Sequence, residues 1–174
     1  VNDPPVLTFI PNQTMDEDST LDVSVSATDV DNASLTFSAS SSNSNNVSVN
    51  VQQLAQKSAT LQLQSLNNFV GTETISVEVT DGGRTDSQNF TITVGAVNDA
   101  PQLNDISDVQ IFEGGNTTVD FFAVDIDSDE LTFSVFDIPT DVNFELTSTG
   151  NKTAQLYLSS PTNYTGSSTI TVTV

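Results

Sequence analysis

The chain carries one sequence module twice in tandem, and this repeat constrains its fold more than any other feature. At an offset of 96 positions, Asn2-Asp3-Pro4-Pro5 returns as Asn98-Asp99-Ala100-Pro101, Glu17 as Glu113, and Asp29-Val30-Asp31 as Asp125-Ile126-Asp127. A period this long is typical of whole domains in an array, whereas the units of a solenoid are shorter. The sequence therefore predicts two tandem domains, residues 1–97 and 98–174.

Apolar and polar residues alternate along most of the chain, as in residues 21–27 (LDVSVSA). This period of two is typical of strands with one buried face, and no helical stripe is found. The first copy contains six such segments and an opening strand near Val6 to Ile10. This predicts an all-β fold of two tandem seven-stranded Greek-key β-sandwiches, cadherin-like or Ig-like. Since the second copy ends at Val174, the counterpart of Val79, we expect its final strand to be absent here.

The composition argues against catalysis and for a cationic partner. The sequence has no cysteine and no histidine, which removes thiol nucleophiles, disulfides, thiolate zinc sites and the commonest general base. We therefore expect no enzyme activity. With 23 acidic and 3 basic residues, the formal net charge is −20, which repels nucleic acid and anionic membranes. No run of about 18 apolar residues is found, so no membrane insertion is expected in this window.

Acidic residues are concentrated in the loops at the ends of the predicted strands. In an Ig-like topology, the turn that carries Glu17 lies at one end of a domain and the loop with Asp29 and Asp31 lies at the other. Stacking the second copy beneath the first brings together Glu17, Asn98, Asp99, Asp125 and Asp127. Calcium takes six to eight hard oxygen ligands, whereas magnesium requires a stricter octahedron and keeps more waters. The sequence therefore predicts an interdomain Ca²⁺ site.

The same reasoning predicts half-sites at the outer ends of the chain and weaker ligands at the junction. These are Asn2, Asp3, Asp29, Asp31 and Asp81 at the N-terminal end, Glu113 and Asn163 at the C-terminal end, and Asp129, Asp16 and Asn67 as lesser candidates. Turn propensity is the alternative interpretation for any one of them, because Asp and Asn cap backbone N–H groups in turns. This alternative is weaker for Glu17, which both copies keep while the flanking Asp16 and Asp18 become Phe112 and Gly114.

Several motifs together resemble a known family. Residues 68–83 (NFVGTETISVEVTDGG), the linkers VNDPP and VNDAP, and the loops DVDNASLTF and DIDSDELTF are similar to cadherin-like tandem repeats of about 95 residues, the bacterial-type Ig-like domains of giant surface adhesins. The resemblance implies that the five junction residues hold calcium between successive domains. True cadherins add an acidic pair from the loop that here reads Leu66-Asn67-Asn68-Phe69, so we expect fewer ions per junction.

Two further features have more than one interpretation. Asn-x-Ser/Thr sequons mark candidate N-glycosylation sites at Asn46, Asn151, Asn12, Asn32 and Asn116. Asn46 and Asn151 in predicted turns rank ahead of Asn89, which lies in a predicted strand. Lys57 and Lys152 occupy matching positions beside a predicted turn. Each is either a surface lysine or the donor of an isopeptide crosslink to asparagine.

The combined features predict a mechanical function. We expect a calcium-rigidified spacer or stalk repeat of a long extracellular or cell-surface protein, an adhesin or an appendage, whose partners are neighbouring repeats of the same chain. One alternative is a homophilic or glycan-binding module, although the lack of tryptophan and the presence of only two tyrosines argue against sugar binding. The other is a filament subunit that exchanges strands with like chains, because an unpaired strand edge accepts a donated strand.

Overall fold

The computed structural model describes residues 1–127 and 130–174, which form two compact units, Val1–Val97 and Asn98–Val174. Both units are built from β-strands packed as sheets. The described residues include no helix long and apolar enough to cross a membrane. The predicted all-β fold is confirmed.

The first unit has eight strands in residues 1–97, all of which are described. They are β1 (Val6–Leu7), β2 (Gln13–Asp16), β3 (Thr20–Thr28), β4 (Thr36–Ser41), β5 (Val47–Ala55), β6 (Ser58–Ser65), β7 (Gly71–Thr80) and β8 (Thr85–Gly95). One sheet has the order β1-β3-β6-β5 and is antiparallel. The other has the order β2-β8-β7-β4, in which β2 runs parallel to β8.

Alternation along the strands determines which face of each sheet enters the core. On β7, Ile75, Val77 and Val79 are fully buried, whereas Ser76 and Glu78 between them are exposed. Burying an aliphatic side chain stabilises a fold by about 1.5–3 kcal/mol, and a one-residue slip would turn every such side chain towards solvent. The pattern read from the sequence therefore fixes the register of these strands.

The opening strand is shorter than predicted and is followed by a second one. Its regular pairing with β3 covers Val6 and Leu7, and the N–H of Thr8 still donates to the carbonyl of Ser26 at 2.9 Å. The chain then crosses to β8 as β2 instead of continuing along β3 to Ile10. Two side chains of β8 stabilise this crossing, since Asp86 accepts the N–H of Leu7 at 2.8 Å and Gln88 accepts the N–H of Ile10 at 3.1 Å. Pro11, which has no N–H to donate to a ladder, follows directly.

The second unit has a smaller core and less regular strands. Its strands are β9 (Gln102–Leu103), β10 (Asn116–Val124), β11 (Ser134–Phe136), β12 (Asn143–Gly150), β13 (Thr153–Ser159) and β14 (Thr171–Thr173). They form a sheet of order β12-β13-β10-β9 and a two-stranded sheet of β11 and β14. Phe121 and Phe133 meet edge to face in the core, with ring centroids 5.4 Å apart. Strand β11 begins later than the predicted strand, whose first apolar residue is Leu131.

Candidate metal centre

Residues of the predicted N-terminal half-site are connected by hydrogen bonds at one end of the first unit. Asp3 donates its backbone N–H to Oδ2 of Asp31 at 2.7 Å, and the side-chain amide of Asn2 donates to Oδ2 of Asp81 at 2.7 Å. The amide of Asn32 in turn donates to Oδ1 of Asn2 at 2.9 Å. The N-terminal segment, the β3–β4 loop and the β7–β8 turn therefore meet at one end of the sandwich, as the predicted topology requires.

Asp29 orders the β3–β4 loop at this end. Its Oδ1 accepts the N–H of Asp31 at 2.8 Å and the N–H of Asn32 at 2.6 Å, which forms an Asx-turn directly after β3. Its Oδ2 is buried and has no hydrogen-bond partner among the described residues. A buried carboxylate oxygen without a partner is costly, because it has lost its water and gained no donor. A cation at this position would compensate that cost.

Asp81 approaches the same end from the β7–β8 turn. Its Oδ1 accepts the N–H of Arg84 at 2.7 Å and the N–H of Gly83 at 2.6 Å. The N–H of Arg84, the amide of Asn2 and the N–H of Gly83 hold the pKa of Asp81 below its ordinary value, because each of them stabilises the ionised form. Asp81 therefore presents a carboxylate, the form that a cation binds, even in mildly acidic solution.

The second unit repeats this geometry at its own Asp-x-Asp loop, which follows β10. Asp99 donates its N–H to Oδ2 of Asp127 at 2.6 Å, and Asp127 donates its N–H to Oδ1 of Asp125 at 3.0 Å. Asn98 is exposed, and its amide donates to the carbonyl of Asp99 at 2.7 Å. Four of the five residues predicted for the interdomain site are thus linked by hydrogen bonds within this unit.

Glu17, the fifth residue, belongs to the first unit and binds the segment that follows β8. Only 5% of its surface is exposed, and its Oε1 accepts the N–H of Val97 at 2.7 Å. Its own N–H donates to the carbonyl of Gly95 at 2.9 Å. The side chain therefore holds the last residues of the unit in place. A carboxylate offers about four lone-pair sites, so this bond alone does not prevent Glu17 from binding a cation as well.

Replacing Glu17 with alanine is expected to destabilise the first unit by about 1.5–3 kcal/mol, the usual range for a hydrogen bond to a charged group. The N–H of Val97 loses its acceptor, and a buried volume is left empty. Urea unfolding of the full chain, followed by far-UV circular dichroism, measures the loss. Asp16→Ala is the matched control because Asp16 is the exposed neighbour of Glu17. Equal losses of stability in the Glu17→Ala and Asp16→Ala variants would contradict the role of Glu17 in holding the last residues of the unit.

The remaining predicted ligands are less well placed. Asp16 and Asn67 are exposed, as are Glu113 and Asn163 at the other end of the chain. The backbones of Asn67 and Asn163 have positive φ angles of 22° and 67°, a conformation that Asn tolerates in turns. Turn geometry is thus enough to explain why asparagine occupies these two positions. Asp129 lies outside the described residues.

The donor set fits calcium in its chemistry. Every candidate offers carboxylate, amide or backbone oxygen, the ligands of a hard cation. Within either unit, however, no group of three or more described Asp and Glu side chains is arranged to hold a metal ion. Six to eight ligands would therefore have to include amide, backbone or water oxygens beside the carboxylates. The buried Oδ2 of Asp29 is one carboxylate oxygen that has no hydrogen-bond partner among the described residues.

Asn32 belongs to this hydrogen-bond network, and its side chain was not among the ligands predicted from the sequence. Asn32 matched only a sequon, and its position directly after the Asp-x-Asp motif was the available signal. The structure also changes the ranking of the sequons. The amide nitrogen of Asn46 donates to Glu73 at 2.7 Å and Oδ1 of Asn12 accepts the N–H of Thr91 at 2.9 Å, whereas Asn116 and Asn151 are exposed. Asn151 is therefore a more accessible candidate than Asn46.

The chain matches the model of a known domain family. The family model described as bacterial Ig domain matches residues 2–93, which is more than half of the chain. The chain therefore belongs to the bacterial Ig domain family, and the predicted relationship to Ig-like tandem repeats is confirmed. No curated protein sequence matches the chain.

Solved structures with a similar arrangement are distant in sequence. An endo-fucoidan hydrolase of glycoside hydrolase family 107 is 15% identical, with a TM-score of 0.48, over 97% of this chain and 28% of that chain. Domains 4–9 of the surface layer protein SbsC are 14% identical, with a TM-score of 0.44, over 99% and 29%. Titin domains z1z2 in complex with telethonin are 12% identical, with a TM-score of 0.46, over 97% and 93%. The chain thus spans under a third of the first two proteins, and these similarities carry no information on function.

Proposed function

We propose that this chain, a member of the bacterial Ig domain family, is a structural spacer whose tandem units are stiffened by calcium in a long extracellular or cell-surface protein. The observation that carries the proposal is the repeated Asp-x-Asp geometry. In both units an N-terminal Asp donates its N–H to the second Asp of the loop, at 2.7 Å for Asp3 and Asp31 and at 2.6 Å for Asp99 and Asp127. In the first unit, the buried Oδ2 of Asp29 adds an unsatisfied acceptor.

Electrostatics gives such a loop a reason to bind a divalent cation. Two carboxylates about 4 Å apart repel by roughly 1 kcal/mol in water and by about 4 kcal/mol at an effective dielectric of 20. In the proposed spacer, calcium would be held in the second unit by Asn98, Asp99, Asp125 and Asp127. Glu17 of the preceding unit is the further ligand that the sequence predicts. Oxygen donated by two consecutive units would limit the freedom of the linker between them.

The composition supports an extracellular location and a requirement for calcium. A chain with a formal net charge of −20 depends on cations to offset its self-repulsion, and extracellular modules bind calcium with dissociation constants of about 0.1–1 mM. The spacer would therefore be stiff where calcium is millimolar and slack where it is scarce. Adhesion is the biological setting that the resemblance to adhesin repeats favours.

Calcium is expected to stabilise the full chain by about 1.4 kcal/mol when its concentration is ten times the dissociation constant. For units of this size, that corresponds to a rise in Tm of roughly 5–10 °C. Calorimetric melts in CaCl₂ and in EGTA measure the shift, and small-angle X-ray scattering of the same samples measures the maximum dimension. We expect the double variant Asp125→Ala/Asp127→Ala to lose most of the change in maximum dimension and the part of the rise in Tm that comes from the second loop, because it removes both carboxylates of that loop.

Asp105→Ala/Asp108→Ala is the matched control. It removes the same charge from exposed positions outside the loop and should keep the wild-type response. A wild-type chain whose melting temperature and dimensions are the same in CaCl₂ and in EGTA would rule the proposed function out. Equal responses in MgCl₂ and CaCl₂ would show charge screening in place of a calcium site.

A further inference from the structure

Two of the three basic side chains in this acidic chain make the same contact in the two units. The ammonium group of Lys57 donates to the backbone carbonyl of Asp29 at 2.7 Å, and that of Lys152 donates to the backbone carbonyl of Asp125 at 2.9 Å. Both lysines are half-buried. Each acceptor is the first aspartate of an Asp-x-Asp loop. These lysines are therefore not free surface residues, and their ammonium groups are directed at a carbonyl oxygen instead of an asparagine side chain.

The hairpin that carries each lysine also holds both ends of the loop. In the first unit, the carbonyl of Lys57 accepts the N–H of Ala27 at 3.1 Å, and the carbonyl of Gln56 accepts the N–H of Leu35 at 2.6 Å. Ala27 lies near the end of β3 and Leu35 directly precedes β4. Two backbone bonds thus fix where the loop leaves the sheet and where it returns, and the lysine side chain reaches the segment between them.

The second unit makes the same pair of backbone bonds. The carbonyl of Lys152 accepts the N–H of Ala123 at 3.0 Å, and the carbonyl of Asn151 accepts the N–H of Leu131 at 2.7 Å. The residues that precede the two lysines, Gln56 and Asn151, differ, whereas the lysine and the bonding pattern recur. The recurrence of one three-bond arrangement in two units points to a shared role.

We propose that Lys57 and Lys152 are positioning residues that hold the Asp-x-Asp loops in the conformation that binds a divalent cation, an inference that rests on the proposed function. A hydrogen bond from an ammonium group is charge-assisted and roughly twice as strong as a neutral one. This bond fixes the backbone of the first aspartate in each loop. It thereby positions the carboxylate of that aspartate, which accepts the N–H of the second aspartate. The positive charge also offsets the repulsion among the loop carboxylates when calcium is scarce.

The test replaces each lysine with methionine, which keeps most of the side-chain length and removes the donor and the charge. In EGTA, Lys57→Met should speed hydrogen exchange of the Asp31 and Asn32 amides about tenfold or more, because both amides are bonded to Asp29. Amides of β7 in the core should be unaffected. In titrations with CaCl₂, the calcium affinity of the Lys57→Met chain should be about tenfold lower than that of the wild type, which is the lower limit seen when groups that orient metal ligands are removed. Both effects are measured by NMR on the full chain.

Arg84→Met is the matched control, since it removes the third basic side chain from the β7–β8 turn without touching the loop hairpin. It should leave exchange at Asp31 as in the wild type. Lys152→Met is the independent test in the second unit, read at the amide of Asp127, so a failure of one variant to fold does not decide the outcome. Unchanged exchange in both lysine variants would overturn the inference. A wild-type chain that binds no calcium would instead overturn the proposed function, whatever the exchange rates in EGTA.

Discussion

Phe121→Ala is expected to lower the free energy of unfolding of the second unit by about 3–5 kcal/mol, the usual cost of removing a buried phenylalanine. Phe121 is 3% exposed and packs edge to face on Phe133 with ring centroids 5.4 Å apart. The described core of this unit is small, so one ring is a large part of it. The cavity also lies on β10, the strand that leads into Asp125, so we expect the Asp-x-Asp loop to lose order with the core.

The adjacent residue provides the matched control. Phe122 is 50% exposed on the opposite face of β10, and Phe122→Ala should cost less than about 1 kcal/mol. Both tyrosines of the chain, Tyr157 and Tyr164, lie in the second unit, and there is no tryptophan. Tyrosine fluorescence during urea unfolding therefore reports on this unit alone. Similar losses from the two neighbouring phenylalanines would contradict the assignment of inward and outward faces on β10.

The sequence predicts the sheets well where burial alone decides the structure. The alternating residues of β3 and β7 occupy the core as expected, because a strand with one apolar face has a single favourable orientation on a sandwich. The crossing after Thr8 could not be predicted, because it depends on Asp86 and Gln88, which are about 80 residues away in sequence and accept the N–H groups of Leu7 and Ile10. A signal for a break was nevertheless present in Pro11.

Part of the candidate site could also be predicted from the sequence, and part of it could not. The Asp-x-Asp motif and the topology predict that Asn2, Asp3, Asp31 and Asp81 lie at one end of the first unit, and hydrogen bonds connect these residues there. The role of the lysines could not be derived, because it depends on the packing of one hairpin against a loop about 30 residues away. The matching positions of Lys57 and Lys152 in the two copies were the available clue. A repeated position suggests a shared role, but it does not show which group the lysine side chain contacts.

Asp29→Asn is expected to have opposite effects on calcium binding and on stability without calcium. The amide oxygen can still accept the N–H groups of Asp31 and Asn32, so the Asx-turn should persist. The buried Oδ2 is replaced by an uncharged NH₂ group, which removes a carboxylate oxygen that has no donor among the described residues. We expect stability in EGTA to rise by about 1 kcal/mol, because a buried charge costs more than a buried neutral group. Calcium affinity at this end should fall at least about tenfold, because a charged ligand is lost.

This pair of opposite effects distinguishes a binding residue from a turn residue. A side chain that serves only the turn would show no gain in stability and no change in calcium affinity, since Asn caps a turn as well as Asp does. Asp22→Asn, at an exposed position of β3, makes the same change in charge and should alter neither quantity. Calorimetric titration with CaCl₂ and urea unfolding in EGTA measure the two effects on the same preparations. A loss of stability in EGTA with unchanged calcium affinity would assign Asp29 to the fold alone. A carboxylate that serves cation binding destabilises the unit when calcium is absent, so its replacement should raise the stability measured in EGTA.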